Sequence, residues 1–294
     1  MPYPDELRLL IEDELEELSF SADPLTDGLV QAMRYSLLAG GKRIRPVLAL
    51  ATARAIGRDE RELLPLAGAI ELIHTYSLIH DDLPAMDDDA MRRGRPTNHV
   101  AFGEDVAILA GDGLYAEAFR HLLSHQAGEP ADVLAAVCEL AAATGVDGMV
   151  GGQYLDVAGI ADDEDADPAR SLRRLHELKT GRLIGASVEC VLLIAGMRRP
   201  ATTAYCAFAA ELGVLFQIVD DILDVTGTDA ALGKPQGSDE RHGKRTYVTE
   251  FGLEGARELA ERSHRQALAS LAQAAPNGAP ELEQITDFIA TRTS

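Results

Sequence analysis

Apolar residues return every three or four positions along most of the chain, the period of an amphipathic helix. From Asp5 to Phe20, Leu7, Leu10, Ile11, Leu15 and Leu18 fall near one face. Asp23-Pro24 pairs a capping side chain with a first-turn proline and opens a second helix, which runs to about Leu38 before Gly40-Gly41 stops it. Arg45 to Ile56 reads as a third helix ended by Gly57. Glu60 to Ile79 is apolar on most sides, which places it at the centre of a bundle. The same period predicts helices over Glu104 to Leu123, Ala131 to Ala143, Arg170 to Ile194, Thr202 to Val225, Leu253 to Ala272 and Glu281 to Ala290. Sustained period-two alternation, the mark of strands, is absent. The expectation is one all-α domain, a helical bundle over residues 1–294.

Two connections stand apart. Ala161 to Pro168 is acidic, without the glycine or spacing of a calcium loop, and reads as an exposed turn. Thr226 to Arg245 is long and rich in glycine and lysine, more than a connector requires.

Composition supports helices, with 46% hydrophobic residues, no tryptophan and few aromatics. A net charge of -21 argues against nucleic acid and against docking on an anionic membrane. Cys138, Cys190 and Cys206 lack metal-ligand spacing and read as reduced thiols of an intracellular protein. Met1 to Leu18 is acidic and lacks a long apolar run, unlike a signal peptide or anchor. Nor does any segment reach the roughly 20 apolar residues of a membrane span. A soluble, cytoplasmic protein is expected.

The chemistry gathers in two acidic stretches. In His80 to Thr97, Asp81, Asp82, Asp87, Asp88 and Asp89 are followed at once by Arg92-Arg93. Pro84 ends the apolar helix before them, leaving acids at its C-terminal mouth, where the helix dipole opposes negative charge. Such acids need a compensating cation. All-oxygen ligands select hard cations, Mg2+ above all when phosphate shares the coordination sphere, and guanidinium forks clamp phosphate oxygens. The second stretch, Phe216 to Asp224, sets Asp220, Asp221 and Asp224 on a helix at spacings of three and four, so they share a face. Alone this reads as a solvated face; after an apolar helix, with a matching acidic stretch upstream, it suggests two acidic helix ends bracketing a diphosphate through Mg2+. Gly41-Lys42-Arg43-Ile44-Arg45 at a helix start, Lys179-Thr180, Lys234 and Lys244 supply cations.

Together these motifs resemble the trans-isoprenyl diphosphate (polyprenyl) synthases, and within them the bacterial farnesyl diphosphate producers. The resemblance runs from Gly40 to about Thr246, in the family's order. It rests on Gly41 to Pro46, His74, Asp81-Asp82 with Asp87, Arg92-Arg93-Gly94 and Gly151-Gly152-Gln153. It continues through Lys179-Thr180, Phe216-Gln217, Asp220 to Asp224, Gly233-Lys234 and Lys244. It implies an all-α homodimer with a central cavity that condenses isopentenyl diphosphate with dimethylallyl or geranyl diphosphate. By resemblance, Asp81, Asp87 and Asp220, helped by Asp82, Asp221 and Asp224, hold the allylic diphosphate through several Mg2+ ions. Arg92, Lys179, Lys234 and Lys244 then bind it directly, and Lys42, Arg45, His74 and Arg93 hold isopentenyl diphosphate. His74 standing alone would read as a satisfied core histidine.

Ionising the allylic C–O bond leaves a carbocation and pyrophosphate, so catalysis consists of stabilising the leaving group's charge. The backbone carbonyl and hydroxyl of Thr180 and the amide oxygen of Gln217 are expected to stabilise the cation, and no protein nucleophile is needed. Tyr76 and Ser77, five and four residues before Asp81, lie on the helix expected to wall the product tunnel. A tyrosine ring there floors the cavity after a few isoprene units, or is a plain core aromatic. With two extra residues in the first motif, Pro84 among them, the pattern resembles farnesyl producers; a geranylgeranyl producer is the alternative. Ala90 departs from relatives that often carry an acid there. A class I terpene cyclase fits less well, because Asp224 stands where that family has Ser or Thr and Thr228 where it has Glu. A non-catalytic partner subunit would lack one aspartate motif, and both are intact.

Overall fold

The computed structural model describes residues 3–158, 168–227 and 244–292. The described elements are α1 (Asp5–Glu17), α2 (Asp27–Leu37), α3 (Ile44–Ala55), α4 (Leu64–Asp81), a hairpin of β1 (Met91–Arg92) and β2 (Arg95–Pro96), α5 (Asn98–Phe102), α6 (Glu104–His125), α7 (Pro130–Thr144), α8 (Met149–Ala158), α9 (Pro168–His176), a π-turn (Glu177–Gly181), α10 (Arg182–Ile194), α11 (Thr203–Thr226), α12 (Tyr247–Ala274) and α13 (Pro280–Thr291). The all-α bundle predicted from periodicity is the fold. Most helix bounds shift by only a few residues, as end turns tighten or fray. Pro24–Thr26 and Glu60–Leu63 are 3-10 turns leading into α2 and α4, with Asp23 and Asp59 accepting from backbone amides at their starts.

α4 is the axis. Leu66, Ile70, Leu72 and Ile73 are fully buried, and the helix packs against α6, α3, α1 and α2. Its buried Glu71 accepts from Arg43 Nη1 at 2.5 Å, and Arg43 Nη2 donates to Leu37 O at 2.7 Å and reaches Glu12. A charge left alone at this depth would be costly, so the paired, hydrogen-bonded arrangement pins the start of α3 to the centre of the bundle. Arg43 itself sits in the left-handed region, with φ of 53°.

Four features lay below sequence resolution. α5 has five residues and the strands two each, too short for a periodic signal. The hairpin turns on Arg93-Gly94, both with positive φ, the geometry of a tight two-residue turn. α8 was missed because glycines interrupt its pattern. The predicted single helix over 170–194 is broken by the π-turn, which inserts one residue into the ladder.

The expectation that no segment has the length and apolarity of a span is corrected at 130–158, whose best window reaches mean hydropathy 1.6. This stretch is two bundle helices, α7 and α8, separated at Gly145 and packed on α10 and the π-turn. Cys138, Cys190 and Cys206 are all free; Cys138 is exposed and Cys190 buried.

Candidate active site

A cavity of about 750 Å³ opens among the ends of α4 and α11, α8, the π-turn and the chain entering α12. After α4 ends, Asp87 N donates to Asp81 O at 2.9 Å, while Leu83 O accepts from Met86 N and Asp88 N. This closed loop carries Asp87 back beside Asp81, and both line the cavity. Desolvation at the wall pushes Asp81 up to about 6, with the nearby Lys179 opposing and Asp87 adding to the rise. An acid held this way calls for more positive charge than the protein supplies.

Asp82 faces elsewhere. It is buried and receives Arg92 Nε at 2.7 Å and Nη2 at 2.6 Å, a two-pronged pair. Burial works against the Arg92 charge, but Asp82, with Asp81 and Asp89 beside it, holds the guanidinium more strongly protonated than usual. Asp82 thereby aims Arg92, which also lines the cavity.

The second motif divides in the same manner. Asp220 faces the cavity and accepts from Arg292 Nη2 at 3.1 Å. Asp221 touches the wall but is committed: its two oxygens accept from Gln217 Nε2 and Tyr247 N, each at 2.7 Å, tying α12 to α11. Asp224 is buried beneath the wall rather than part of it. Gln217 is held at both ends, since Thr180 Oγ1 donates to its Oε1 at 3.0 Å. That fixes the amide with oxygen toward Thr180 and a lone pair of that oxygen still unused.

Lys179, on the π-turn, donates to Asp156 Oδ2 at 2.6 Å, and Lys244 donates to Asp87 Oδ1 at 2.9 Å while standing 3.5 Å from Asp156. Burial would raise the Asp156 carboxyl, yet Lys179 and Lys244 together hold it below the usual range.

At the other pole, Arg45, His74, Arg93 and Arg292 line the cavity. Arg45 Nη1 lies 3.4 Å from His74 Nε2. Desolvation, helped by Arg45 and Arg93, pushes His74 well below its ordinary value, so its ring is neutral. Desolvation also lowers Arg45 to about 10, with Glu71 and Asp220 opposing and Arg292 and Arg93 reinforcing. Gly41 makes this pole possible: a Cβ there would stand 2.8 Å from Arg93 Cζ, at a φ of +128°. Arg93 donates to Gly40 O through the space so left.

One part of the wall is aromatic. Tyr76 and Ser77 line the cavity, Ser77 Oγ donating to His74 O at 2.9 Å. The Tyr76 ring meets His80 at 5.3 Å and Tyr115 at 4.9 Å, and Phe119 stands 5.2 Å beyond Tyr115. Burial first, then Tyr115 and Asp81, push the Tyr76 hydroxyl up to about 12.

Of the residues singled out from sequence, the cavity thus gathers Asp81, Asp87, Asp220, Asp221, Arg45, His74, Arg92, Arg93, Lys179, Lys244, Thr180, Gln217, Tyr76 and Ser77. It does not gather Asp82, Asp224 or Lys42; the Lys42 ammonium lies 5.3 Å over the Phe288 ring. Lys234 lies outside the described residues. Sequence reasoning missed Asp156, His176 and Arg292 on the same wall. Asp156 was within reach, three residues after a motif glutamine; the other two carry no local signal.

No group of three or more His, Cys, Asp or Glu side chains closes on a metal position among the described residues. The donor set still suits hard cations shared with a ligand: carboxylate oxygens from two helix ends, with Asp81 short of positive charge.

Residues 26–289 match the family model described as polyprenyl synthetase. The farnesyl diphosphate synthase of Geobacillus stearothermophilus is 46% identical over 266 residues, 90% of this chain and 88% of its own. The heterodimeric geranylgeranyl pyrophosphate synthase large subunit 1, chloroplastic, of Arabidopsis thaliana is 45% identical over 277 residues, 92% of this chain and 75% of its own. Among solved structures, a geranyltransferase from Helicobacter pylori complexed with magnesium and isoprenyl diphosphate has a TM-score of 0.84 at 31% identity, covering 98% of this chain and 97% of its own. With a cavity walled by acids from two helix ends and by cations at both poles, the chain belongs to the polyprenyl synthetase family and is a prenyl diphosphate synthase, a prenyltransferase.

Proposed function

We propose that the chain joins isopentenyl diphosphate to dimethylallyl or geranyl diphosphate, head to tail, and stops at the fifteen-carbon farnesyl diphosphate. The observation that carries this is the Tyr76 ring in the wall of the cavity that Asp81, Asp87 and Asp220 share. Asp81, Asp87 and Asp220 would hold Mg2+; bound there, Mg2+ supplies Lewis-acid neutralisation of the leaving diphosphate. Arg92, Lys179 and Lys244 bind the allylic diphosphate oxygens, and Lys234 belongs with them by resemblance alone. Arg45, His74 and Arg93 hold the isopentenyl diphosphate, neutral His74 as a hydrogen-bonding partner rather than a charge.

As the allylic C–O bond breaks, Lys179, Lys244 and Arg92 stabilise the charge gathering on the leaving pyrophosphate, already in place before the reaction. Thr180 and the Gln217 carboxamide oxygen face the carbocation. The apolar walls exclude water that would capture it. The isopentenyl double bond attacks, and the proton lost goes to the departing pyrophosphate. Asp82 and Asp221 act through neighbours: Asp82 orients Arg92, and Asp221 orients Gln217. Exposed Ile108, Leu109 and Leu123 on α6 and Leu134 on α7 supply an apolar face suited to a second copy of the chain.

A twenty-carbon product is the second reading, favoured by relatives named for geranylgeranyl diphosphate at similar identity. Purified protein with Mg2+, labelled isopentenyl diphosphate and dimethylallyl diphosphate separates the readings by product length. A fifteen-carbon product supports the proposal, a twenty-carbon product replaces its last step, and no elongation with either allylic primer overturns it.

A further inference from the structure

The Gly151-Gly152-Gln153 run has no part in the chemistry above, and Asp156, one turn further on, has been given none. Gly152 packs on the backbone of the π-turn: a Cβ there would lie 2.2 Å from Lys179 N and 2.5 Å from Lys179 Cα. Real Cβ atoms do not approach backbone so closely, so glycine is what lets α8 lie against the segment that carries Lys179. The approach sets Asp156 on the Lys179 side chain, with Oδ2 2.6 Å from Nζ. The same oxygen is 3.5 Å from Lys244 Nζ. Asp156 lines the cavity with a side chain only 13% exposed.

Two ammonium groups facing one pocket repel each other. Without a carboxylate between them they would turn to the nearest acids, and Lys244 already donates to Asp87 at 2.9 Å. An ammonium settled there competes with the cations that Asp81 and Asp87 are read to hold. We propose that Asp156 is a positioning residue for the allylic pole: it holds Lys179 off the cation-binding carboxylates and offers Lys244, which rests on Asp87, an alternative partner 3.5 Å away when cations take that acid. The inference rests on the site reading given above and assigns the glycine run its purpose, which is to bring α8 near enough for Asp156 to serve. Asp156 touches neither substrate nor reacting atoms; it acts through the two lysines.

The test is Asp156→Asn, which keeps size and shape and removes the charge, with Asp156→Glu as the charge-keeping control. Calorimetric titration with inorganic pyrophosphate in Mg2+ reads the pole directly, without turnover. Asp156→Asn is expected to bind pyrophosphate at least tenfold more weakly than the native protein, and Asp156→Glu to recover much of that loss. In steady-state assays the KM for the allylic diphosphate rises by a similar factor, while that for isopentenyl diphosphate changes less than twofold. Unaltered pyrophosphate binding in Asp156→Asn overturns the proposal. So does an equal rise in both KM values, or a Glu variant as damaged as the Asn variant, since either marks a packing role. If the native protein itself fails to bind pyrophosphate with Mg2+, the reading of the site falls first.

Discussion

Replacing Tyr76 with alanine should lengthen the product by one isoprene unit and no more. The Tyr76 ring lines the cavity, Tyr115 stands 4.9 Å from it and Phe119 5.2 Å from Tyr115. Tyr115 is not among the residues that line the cavity, so truncating Tyr76 should expose it as the next floor, 4.9 Å on by ring centroids. That spacing suits one more prenyl unit. Burying five further carbons at about 0.8 kcal/mol each favours the longer product by about 4 kcal/mol, nearly a thousandfold once the space exists. Lost aromatic pairs and partial burial cost about 2 kcal/mol of stability, below the full 3–5 kcal/mol of a core aromatic because one face of the ring meets the cavity. At roughly 2–4 °C per kcal/mol, the melting midpoint should fall by about 4–8 °C. Products from labelled isopentenyl diphosphate, dephosphorylated and sized by chromatography, should move from fifteen to twenty carbons. An unchanged distribution refutes the Tyr76 floor; products beyond twenty carbons refute Tyr115 as the next one. Tyr76→Ala with Tyr115→Ala should extend the chain again.

Three further outcomes follow from the geometry. Gly41→Ala must strain a backbone at φ of +128° and displace the Arg93 guanidinium, so the KM for isopentenyl diphosphate should rise at least tenfold with the allylic KM little changed; steady-state kinetics with each substrate varied in turn will show whether the loss stays at that pole. Asp81→Ala and Asp220→Ala should each lower turnover by about a hundredfold or more with native circular dichroism, as expected for groups that act on developing charge; near-native turnover in either would remove that acid from the site. Asp81, lifted from its ordinary value to about 6 by desolvation, binds a proton more tightly folded than unfolded, so the stability it withholds at neutral pH is regained as pH falls through about 6 toward 4. In metal-free protein, the difference in melting midpoint between native and Asp81→Asn should therefore shrink over that window, and a constant difference would contradict the assignment.

Periodicity of apolar residues was enough to determine an all-α bundle, because each helix declares its buried face through neighbours three and four positions away. The same local logic placed acids at the ends of α4 and α11, where repulsion and an opposing dipole demand cations. Local pattern could not decide which acid of each motif faces the cavity. Asp81 and Asp87 do, while Asp82 turns to Arg92; Asp220 does, while Asp221 spends its oxygens on Gln217 and Tyr247. Side chains on adjacent residues of a helix point in different directions, and the partner that fixes each comes from another element. Tertiary packing alone joined Lys179 to Asp156 across 23 residues, Asp220 to Arg292 across 72 and Lys244 to Asp87 across 157. Those pairs carry no signal along the chain, since charge attracts through space and only the packed helices set the distances. The family pattern in the sequence named most of the cavity's residues; the packing of α8 on the π-turn and of α6 against Tyr76 decided what stands beside them.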